Sequence, residues 1–520
     1  MFSQGQEEDE KDRKLFHDGE YYFLFEDYQA ALNKYLQIDD TANANVQYRI
    51  GLCYLNLTEN LNRAIKFLKK ASKNTSYLYR EGIFAIKNAP VHVYGFLGDA
   101  YRMNMQYEEA LESYEKYKES LILSNSFRVV ETERLITSCK NGQTILRIPV
   151  NVFIENMGKN VNSKFEDYNP VLSADGNIMV FTRKMPKKRD DEDVDIEDYR
   201  EFIFYSKKSG NDWAEPVEIT KDIGSDGYFS TVSMSHDGKK MLLYDGNGDI
   251  YMSEFDGEKW SKAKKLDKKI SSNKWESHAC FSPDGNTIYF TSVRANSTGG
   301  FDIYKSTINE EGEWGDPVNL GNKINSTFNE AAPFITEDGK HLYFASQGHY
   351  NMGGFDIFCC TLNEDGKWGE PVNLGYPINT SGDDVFYAPV SNGAKFYTFG
   401  KKYNFYKEAD IYQVSIQTRE GFTSPEIAGK IVTPDNKTLK KEDVTITITR
   451  NIKVGTKDST IVLTTFSPEL KNNQFKYNLE PGGYTLKCKV KGYKETEQEI
   501  YLPMVISEAF RFEIKPEPAN

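Results

Sequence analysis

The sequence predicts a multidomain chain: an α-helical solenoid over residues 10–145, a five-bladed β-propeller over 148–417 closed by an N-terminal strand of its own, and an all-β sandwich over 425–516. Two observations carry this. The middle of the chain writes one pattern five times, marked by the turn glycines Gly176, Gly238, Gly285, Gly339 and Gly393. A repeat of roughly 50 residues holding several short strands around an Asp-Gly turn is how a ring of sheets looks in sequence. Before that stretch the hydrophobic period is helical, and after it apolar and polar residues alternate as in strands.

In the helical part, three Gly-x-x-Tyr steps stand at Gly19/Tyr22, Gly51/Tyr54 and Gly98/Tyr101. Each is followed by an Ala and, four residues on, a bulky residue: Ala31/Tyr35, Ala64/Leu68 and Ala110/Tyr114. Small residues let paired helices approach, and the large ones fill the space between them. The step from Gly51 to Gly98 is longer than a period of about 34 residues, so Ser72 to Pro90 is expected to hold an extra helix or loop. A last helix near Val129 to Asn141 caps the stack. The pattern resembles the tetratricopeptide repeat, which implies a concave groove for peptides or partner proteins.

The propeller repeat is clearest in Trp314, Pro317, Leu320, Ile324, Asn325, Pro333, Asp338-Gly339 and Asp356-Ile357. It returns about 54 residues later as Trp368, Pro371, Leu374, Ile378, Asn379, Pro389, Asn392-Gly393 and Asp410-Ile411. The first outer-strand segment, Val150 to Glu155, has no blade before it, and the last blade has no outer strand behind it. Pairing the two closes the ring and leaves no sheet edge bare. Asp175, Asp237, Asp284 and Asp338 precede turn glycines and read as hairpin turns before they read as ligands. Trp213, Trp260, Trp314 and Trp368 recur at one repeat position, which favours packing between blades over a sugar-stacking platform.

Specificity in a repeat scaffold sits in its variable loops. The run from Lys184 to Asp198 alternates carboxylates at Asp191, Asp193, Asp195 and Glu197, but it lacks the glycine and closing glutamate of an EF-hand loop and reads as solvated. The loops of blades three and four carry Arg294 and Asn296, and His349, Tyr350 and Asn351. They are expected side by side at one mouth of the ring, with His349 and Tyr350 exposed as contact residues. From Pro425 onward, Ile431, Val444 to Ile448, Phe475 to Leu479 and Tyr484 to Leu486 alternate as the strands of a small sandwich.

Composition narrows the partners. A net charge of -13 opposes nucleic acid and anionic membrane. No apolar run approaches the roughly 20 residues of a membrane-spanning helix, so no direct membrane insertion is expected. Phe2-Ser-Gln before Glu7 fits the tail of a removed export signal. The six cysteines lack any CxxC pair and read as small buried hydrophobes, with no metal or cofactor expected.

Together the three parts resemble the PorE family of Bacteroidota envelope proteins. The resemblance rests on the tetratricopeptide-like steps, on Phe281-Ser282-Pro283-Asp284-Gly285, similar to the WD40-like "PD40" repeat, and on Gly429, Pro481-Gly482 and Gly492-Tyr493, similar to the carboxypeptidase regulatory-like domain. It implies a periplasmic, outer-membrane-associated scaffold of type IX secretion and gliding, partnered by a PorP/SprF-like outer-membrane β-barrel. Family members usually finish with an OmpA-like domain that grips peptidoglycan, and this sequence shows none, which leaves peptidoglycan binding open. No G-x-S-x-G elbow, HExxH or phosphate loop is present, so no enzyme activity is expected. The alternatives are a carbohydrate- or peptidoglycan-binding module, or a propeller glycosidase, which would need two converging carboxylates.

Overall fold

A computed structural model describes residues 4–40, 42–57, 60–121, 126–187, 199–210, 212–390, 395–400, 409–417, 426–454, 457–504 and 509–519. The chain divides into two compact units, Met1–Gln143 and Thr144–Asn520.

The first unit is helical: α1 Gln4–Leu24, α2 Tyr28–Tyr35, α3 Ala44–Leu57, α4 Leu61–Ala71, α5 Val93–Met103, α6 Tyr107–Ser120 and α7, which begins at Ser126 and runs to Ile145. Helices α1 and α2, α3 and α4, and α5 and α6 pack as hairpins. Their closeness has a steric cause. A Cβ added at Gly19, Gly51 or Gly98 would lie 2.5 Å from Tyr35, 2.6 Å from Leu68 or 2.5 Å from Tyr114. Ala31, Ala64 and Ala110 have no exposed surface at all, as small residues in such a seam must. Asp27 and Asn60 start α2 and α4 by accepting from the N–H groups of Ala30 and Arg63. The stretch between α4 and α5 holds no further helix; it is pinned by a parallel bridge of Thr75–Ser76 with Ala89–Pro90.

The second unit is all strand after α7, and its first part is a β-propeller. Sheet I comprises Glu166–Leu172, Ile178–Pro186 and Tyr199–Ser209, with Asp212–Trp213 and Val217–Glu218 both on the last of these. Sheet II is Phe229–Met234, Lys240–Asp245, Asp249–Glu254 and Lys264–Lys265. Sheet III is Glu276–Phe281, Thr287–Ser292, Asp302–Thr307 and Val318–Asn319; sheet IV is Glu330–Ile335, His341–Ser346, Asp356–Thr361 and Val372–Asn373. Sheet V is Ala388–Val390, Lys395–Gly400 and Asp410–Ile416, and its outer strand is Val152–Asn156, registered from Tyr412 opposite Asn156 to Ile416 opposite Val152. The strand exchange expected from the sequence is therefore made.

Each sheet buries both faces against its neighbours. Val171 and Val180 of sheet I meet Met241 and Leu243 of sheet II, and Leu242 of sheet II meets Phe281 of sheet III. Ile303 of sheet III meets Leu342 of sheet IV, Ile357 of sheet IV meets Val414 of sheet V, and Ile411 of sheet V returns to Phe181 of sheet I. At the described turns an aspartate side chain adds to the backbone hydrogen bonds that close the hairpin. Asp175, Asp237, Asp284 and Asp338 each accept a hydroxyl from Ser173, Ser235, Ser282 or Thr336 at 2.5–2.6 Å and an N–H two residues on. The fifth turn, Asn392-Gly393, lies outside the described residues. Trp213 and Trp260 are 4% exposed, and Trp314 packs on Phe281, so these rings fill the sheet interfaces.

Beyond the propeller, Gln474–Asn478, Glu426–Ile431 and Phe510–Ile514 form one sheet, with the last pair parallel. Lys457–Phe466, Val444–Val454, Gly482–Val490 and Thr496–Leu502 form the other. The two enclose a core that includes Ile446, Ile448, Phe475, Leu486 and Ile514. All six cysteines are buried and unbridged. No helix among the described residues is long and apolar enough to cross a membrane.

Candidate functional site

One rim of the propeller gathers the chemistry. Its builder is a four-residue spacing at the start of three sheets, Ser163/Asp167, Ser272/Glu276 and Ser326/Glu330. In each, the serine N–H and hydroxyl donate to the carboxylate four residues on, at 2.6–3.0 Å. Thr380 and Asp384 repeat the lock beside sheet V. Asp167, Glu276 and Glu330 are no more than 1% exposed, and a buried carboxylate needs compensation.

Sheets I and III supply an arginine. Arg183 Nε donates to Asp167 at 2.6 Å, and its Nη2 donates to the Val161 carbonyl at 2.9 Å while the guanidinium lies 4.3 Å from the Phe204 ring. Arg294 repeats this with Glu276 at 3.4 Å, the Ile270 carbonyl at 2.8 Å and the Phe290 ring at 4.9 Å. Burial still raises the Asp167 carboxyl above its ordinary range, against the pull of Arg183 and Ser163.

In sheet IV the arginine is replaced. His349, with φ of 57°, sets its ring on Phe344 and Phe358 and donates from Nε2 to the Ile324 carbonyl at 2.8 Å. That carbonyl is the counterpart of those at Val161 and Ile270. Glu330 is left with Ser326 and the Ser346 hydroxyl at 2.7 Å. Burial pushes its carboxyl up to about 8.

These contacts correct the expectation that His349 and Tyr350 stand exposed for a partner. His349 is a half-buried structural ring. The Tyr350 ring stacks on Tyr501 of the sandwich at 4.4 Å and 6°, and burial raises its hydroxyl to about 12. Asn351 is 2% exposed, its amide donating to the Gln347 and Gly354 carbonyls. Arg294 is held by Glu276, and only Asn296 lies open to solvent, accepting from the Tyr304 hydroxyl. Residues 188–198, which include the acidic run, lie outside the described residues.

The surface the sequence did not single out is a bowl of about 630 Å³ on the propeller axis, walled by Tyr244, Trp275, His278, Val293, Phe301 and Phe355 among others. Trp275 is 48% exposed, its indole N–H donating to the Tyr244 hydroxyl at 3.0 Å. The polar wall groups are engaged internally: Ser277 with His278 and Thr291, Thr231 with Thr182 and the Asn169 carbonyl, and Glu330 with its serines. Burial lowers His278 to about 4, so the ring is neutral near pH 7. Such a wall suits an apolar or aromatic group better than a sugar, whose hydroxyls would find few free partners. Among the described residues no cluster of His, Cys, Asp and Glu is arranged to hold a metal ion.

No protein-family model and no curated protein matches the chain. Solved structures do. A candidate 6-phosphogluconolactonase from Bacteroides uniformis is 15% identical over 45% of this chain and 78% of its own, with a TM-score of 0.27. Hydrazine synthase from Kuenenia stuttgartiensis is 16% identical over 46% and 75%, at 0.28, and an oligogalacturonate lyase in complex with manganese is 11% identical over 49% and 67%, at 0.27. The expectation that the chain is not an enzyme is corrected by these neighbours, which include a lyase and candidate lactonases.

Proposed function

We propose that this chain is an envelope adaptor of the PorE kind: a tetratricopeptide-like solenoid, a five-bladed propeller and a carboxypeptidase regulatory-like sandwich, held in the periplasm against an outer-membrane β-barrel. The observation that carries this reading is the junction of propeller and sandwich. Tyr501, 2% exposed, accepts the Asn373 N–H of sheet IV at 2.6 Å and stacks on Tyr350. Pro503 lies against Gly375, and Met504 joins the core of Val150, Ile357 and Val414. A junction that buries aromatics and satisfies a backbone donor is stiff, unlike the polar contacts between domains that move freely. A stiff platform is what an adaptor needs to hold partners at fixed spacing.

The helical unit adds a second recognition surface, a groove of about 540 Å³ whose walls include Tyr48, Arg49, Phe96 and Tyr117. Arg49 is 1% exposed and is clamped by Glu20 at 2.6 Å and Glu81 at 2.9 Å. The mixed charge and aromatic surface fit a peptide segment.

The test is mild cross-linking of intact envelopes followed by affinity capture of the chain. An outer-membrane β-barrel enriched over the untagged control is the expected result. Recovery of the chain from the envelope fraction with no barrel attached would overturn the reading.

A further inference from the structure

A cation is drawn to the negative face of an aromatic ring, and the arginines of this propeller use that attraction. Arg183 lies 4.3 Å from the Phe204 ring, Arg294 4.9 Å from Phe290 and Arg200 4.5 Å from Tyr228. The bowl on the axis has ring faces without such a partner. Among the described residues, Tyr244, Trp275, Phe301 and Phe355 of its wall stack on no other ring and have no Lys or Arg over them.

These rings stand at one place in the repeat. In sheets I to IV an isoleucine of the third strand, Ile203, Ile250, Ile303 or Ile357, donates its N–H to a side-chain oxygen of Thr220, Ser271, Asn325 or Asn379. The four isoleucines fix the register between the sheets. Two residues before them come Glu201, Gly248, Phe301 and Phe355. Gly248 has no side chain, and Trp275 fills its place: a Cβ there would lie 2.9 Å from the indole. The four places therefore carry a carboxylate, an indole and two phenyl rings.

The charge around the bowl has one sign. Glu201 accepts the Tyr168 hydroxyl at 2.6 Å, Asp245 beside Tyr244 accepts the Asp249 N–H at 3.1 Å, and Asp383 accepts the Phe355 N–H at 2.9 Å. None of the three forms an ion pair among the described residues. No Lys or Arg lines the bowl, and its histidine, His278, is neutral near pH 7.

We propose that the bowl binds a quaternary ammonium compound, taken up as a free small molecule. Ring faces and carboxylates without a basic partner select a positive charge. The engaged wall selects its kind. Ser277, Thr231 and Glu330 are hydrogen-bonded to their own neighbours, so a primary ammonium or a guanidinium would strand N–H donors there. A quaternary ammonium has no N–H, and its methyl groups lie against the rings. The volume of about 630 Å³ is that of a small-molecule site. A phosphocholine lipid headgroup fits less well, because its phosphate would meet the carboxylates around the mouth. The inference stands on the bowl itself and is independent of the adaptor reading.

Isothermal titration calorimetry of the full chain tests it, with choline set against its neutral isostere, in which carbon replaces the ammonium nitrogen. Choline is expected to bind tighter than the isostere by about ten-fold or more. Trp275→Leu keeps an apolar side chain at a site that is 48% exposed but removes the ring face, and should weaken choline by about ten-fold. Glu201→Gln keeps an acceptor for Tyr168 and removes only the charge. It is expected to weaken choline by about three-fold and to leave the isostere's affinity as it was, which a merely structural role would not do. Equal affinity for choline and the isostere, no heat with choline, a folded Trp275→Leu variant that binds choline as the wild type does, a Glu201→Gln variant that loses both ligands alike, or binding to phosphatidylcholine vesicles without binding of choline would each overturn the proposal.

Discussion

The rims of sheets III and IV are built on the same serine–carboxylate lock and solve its electrostatics differently. Glu276 has Arg294 beside it and Glu330 has no arginine, while His349 takes over the carbonyl contact that the arginines make elsewhere. The reason is steric. The residue at the arginine's place in sheet IV is Gly348, where an added Cβ would lie 2.3 Å from Ser326. The contact therefore passes to the next residue, in left-handed backbone, whose ring reaches the carbonyl but carries no permanent charge. The comparison teaches that the repeat conserves the hydrogen-bond partner of each rim while leaving its charge balance free to differ from blade to blade.

The largest expected effect breaks the charged member. Arg294→Ala removes the cation beside a fully buried Glu276 and uncovers the Ile270 carbonyl. Stranding one partner of a buried pair costs about 3–5 kcal/mol, which chemical denaturation of the variant should show. A loss below about 1 kcal/mol, the value of an exposed pair, would mean that the serines alone hold Glu276.

The next effect sharpens the neutral member. Glu330 ionises near 8 when folded and near its ordinary 4.5 when unfolded. Between those values the folded chain holds a proton that the unfolded chain has released. Stability is therefore fullest below about 4.5 and falls as pH rises towards 8, by at most about 1.4 kcal/mol per pH unit. Glu330→Gln imitates the protonated acid and is expected to flatten that slope in unfolding curves recorded from pH 5 to 8. A variant whose slope equals that of the wild type would assign the pH dependence to other groups.

Much of this architecture could be read before any coordinates. The Gly19/Tyr35, Gly51/Leu68 and Gly98/Tyr114 contacts follow from helical spacing, and the pairing of Val152–Asn156 follows from a repeat cut out of phase. Asn156 and Asn162 stand in the first segment as Asn319 and Asn325 do in the third repeat, and both sets clamp the neighbouring strand. The Ser272/Glu276 spacing was equally open to reading, but a serine four residues before an acid is common enough to pass unnoticed. What no local pattern could show is burial by a distant segment. Tyr350 looks like a loop-tip aromatic, and only the arrival of Tyr501, 151 residues later, covers it. The bowl around Trp275 was hidden for the same reason, since its walls come from several sheets.

The smallest effects compare the two loops through one residue type. Asn351 is 2% exposed, and its amide donates to the carbonyls of Gln347 and Gly354 across its own loop. Asn351→Ala strands those acceptors and is expected to cost about 1–3 kcal/mol. Asn296 stands in the sheet III loop one place earlier, where sheet IV has Tyr350, as an exposed acceptor for Tyr304, whose hydroxyl also reaches Ser297. Asn296→Ala should therefore stay within about 0.5 kcal/mol of the wild type. Thermal unfolding of the two alanine variants side by side is the measurement. Equal losses would mean that the sheet III loop is as closely held as its neighbour, and that its exposed surface is not free for a partner.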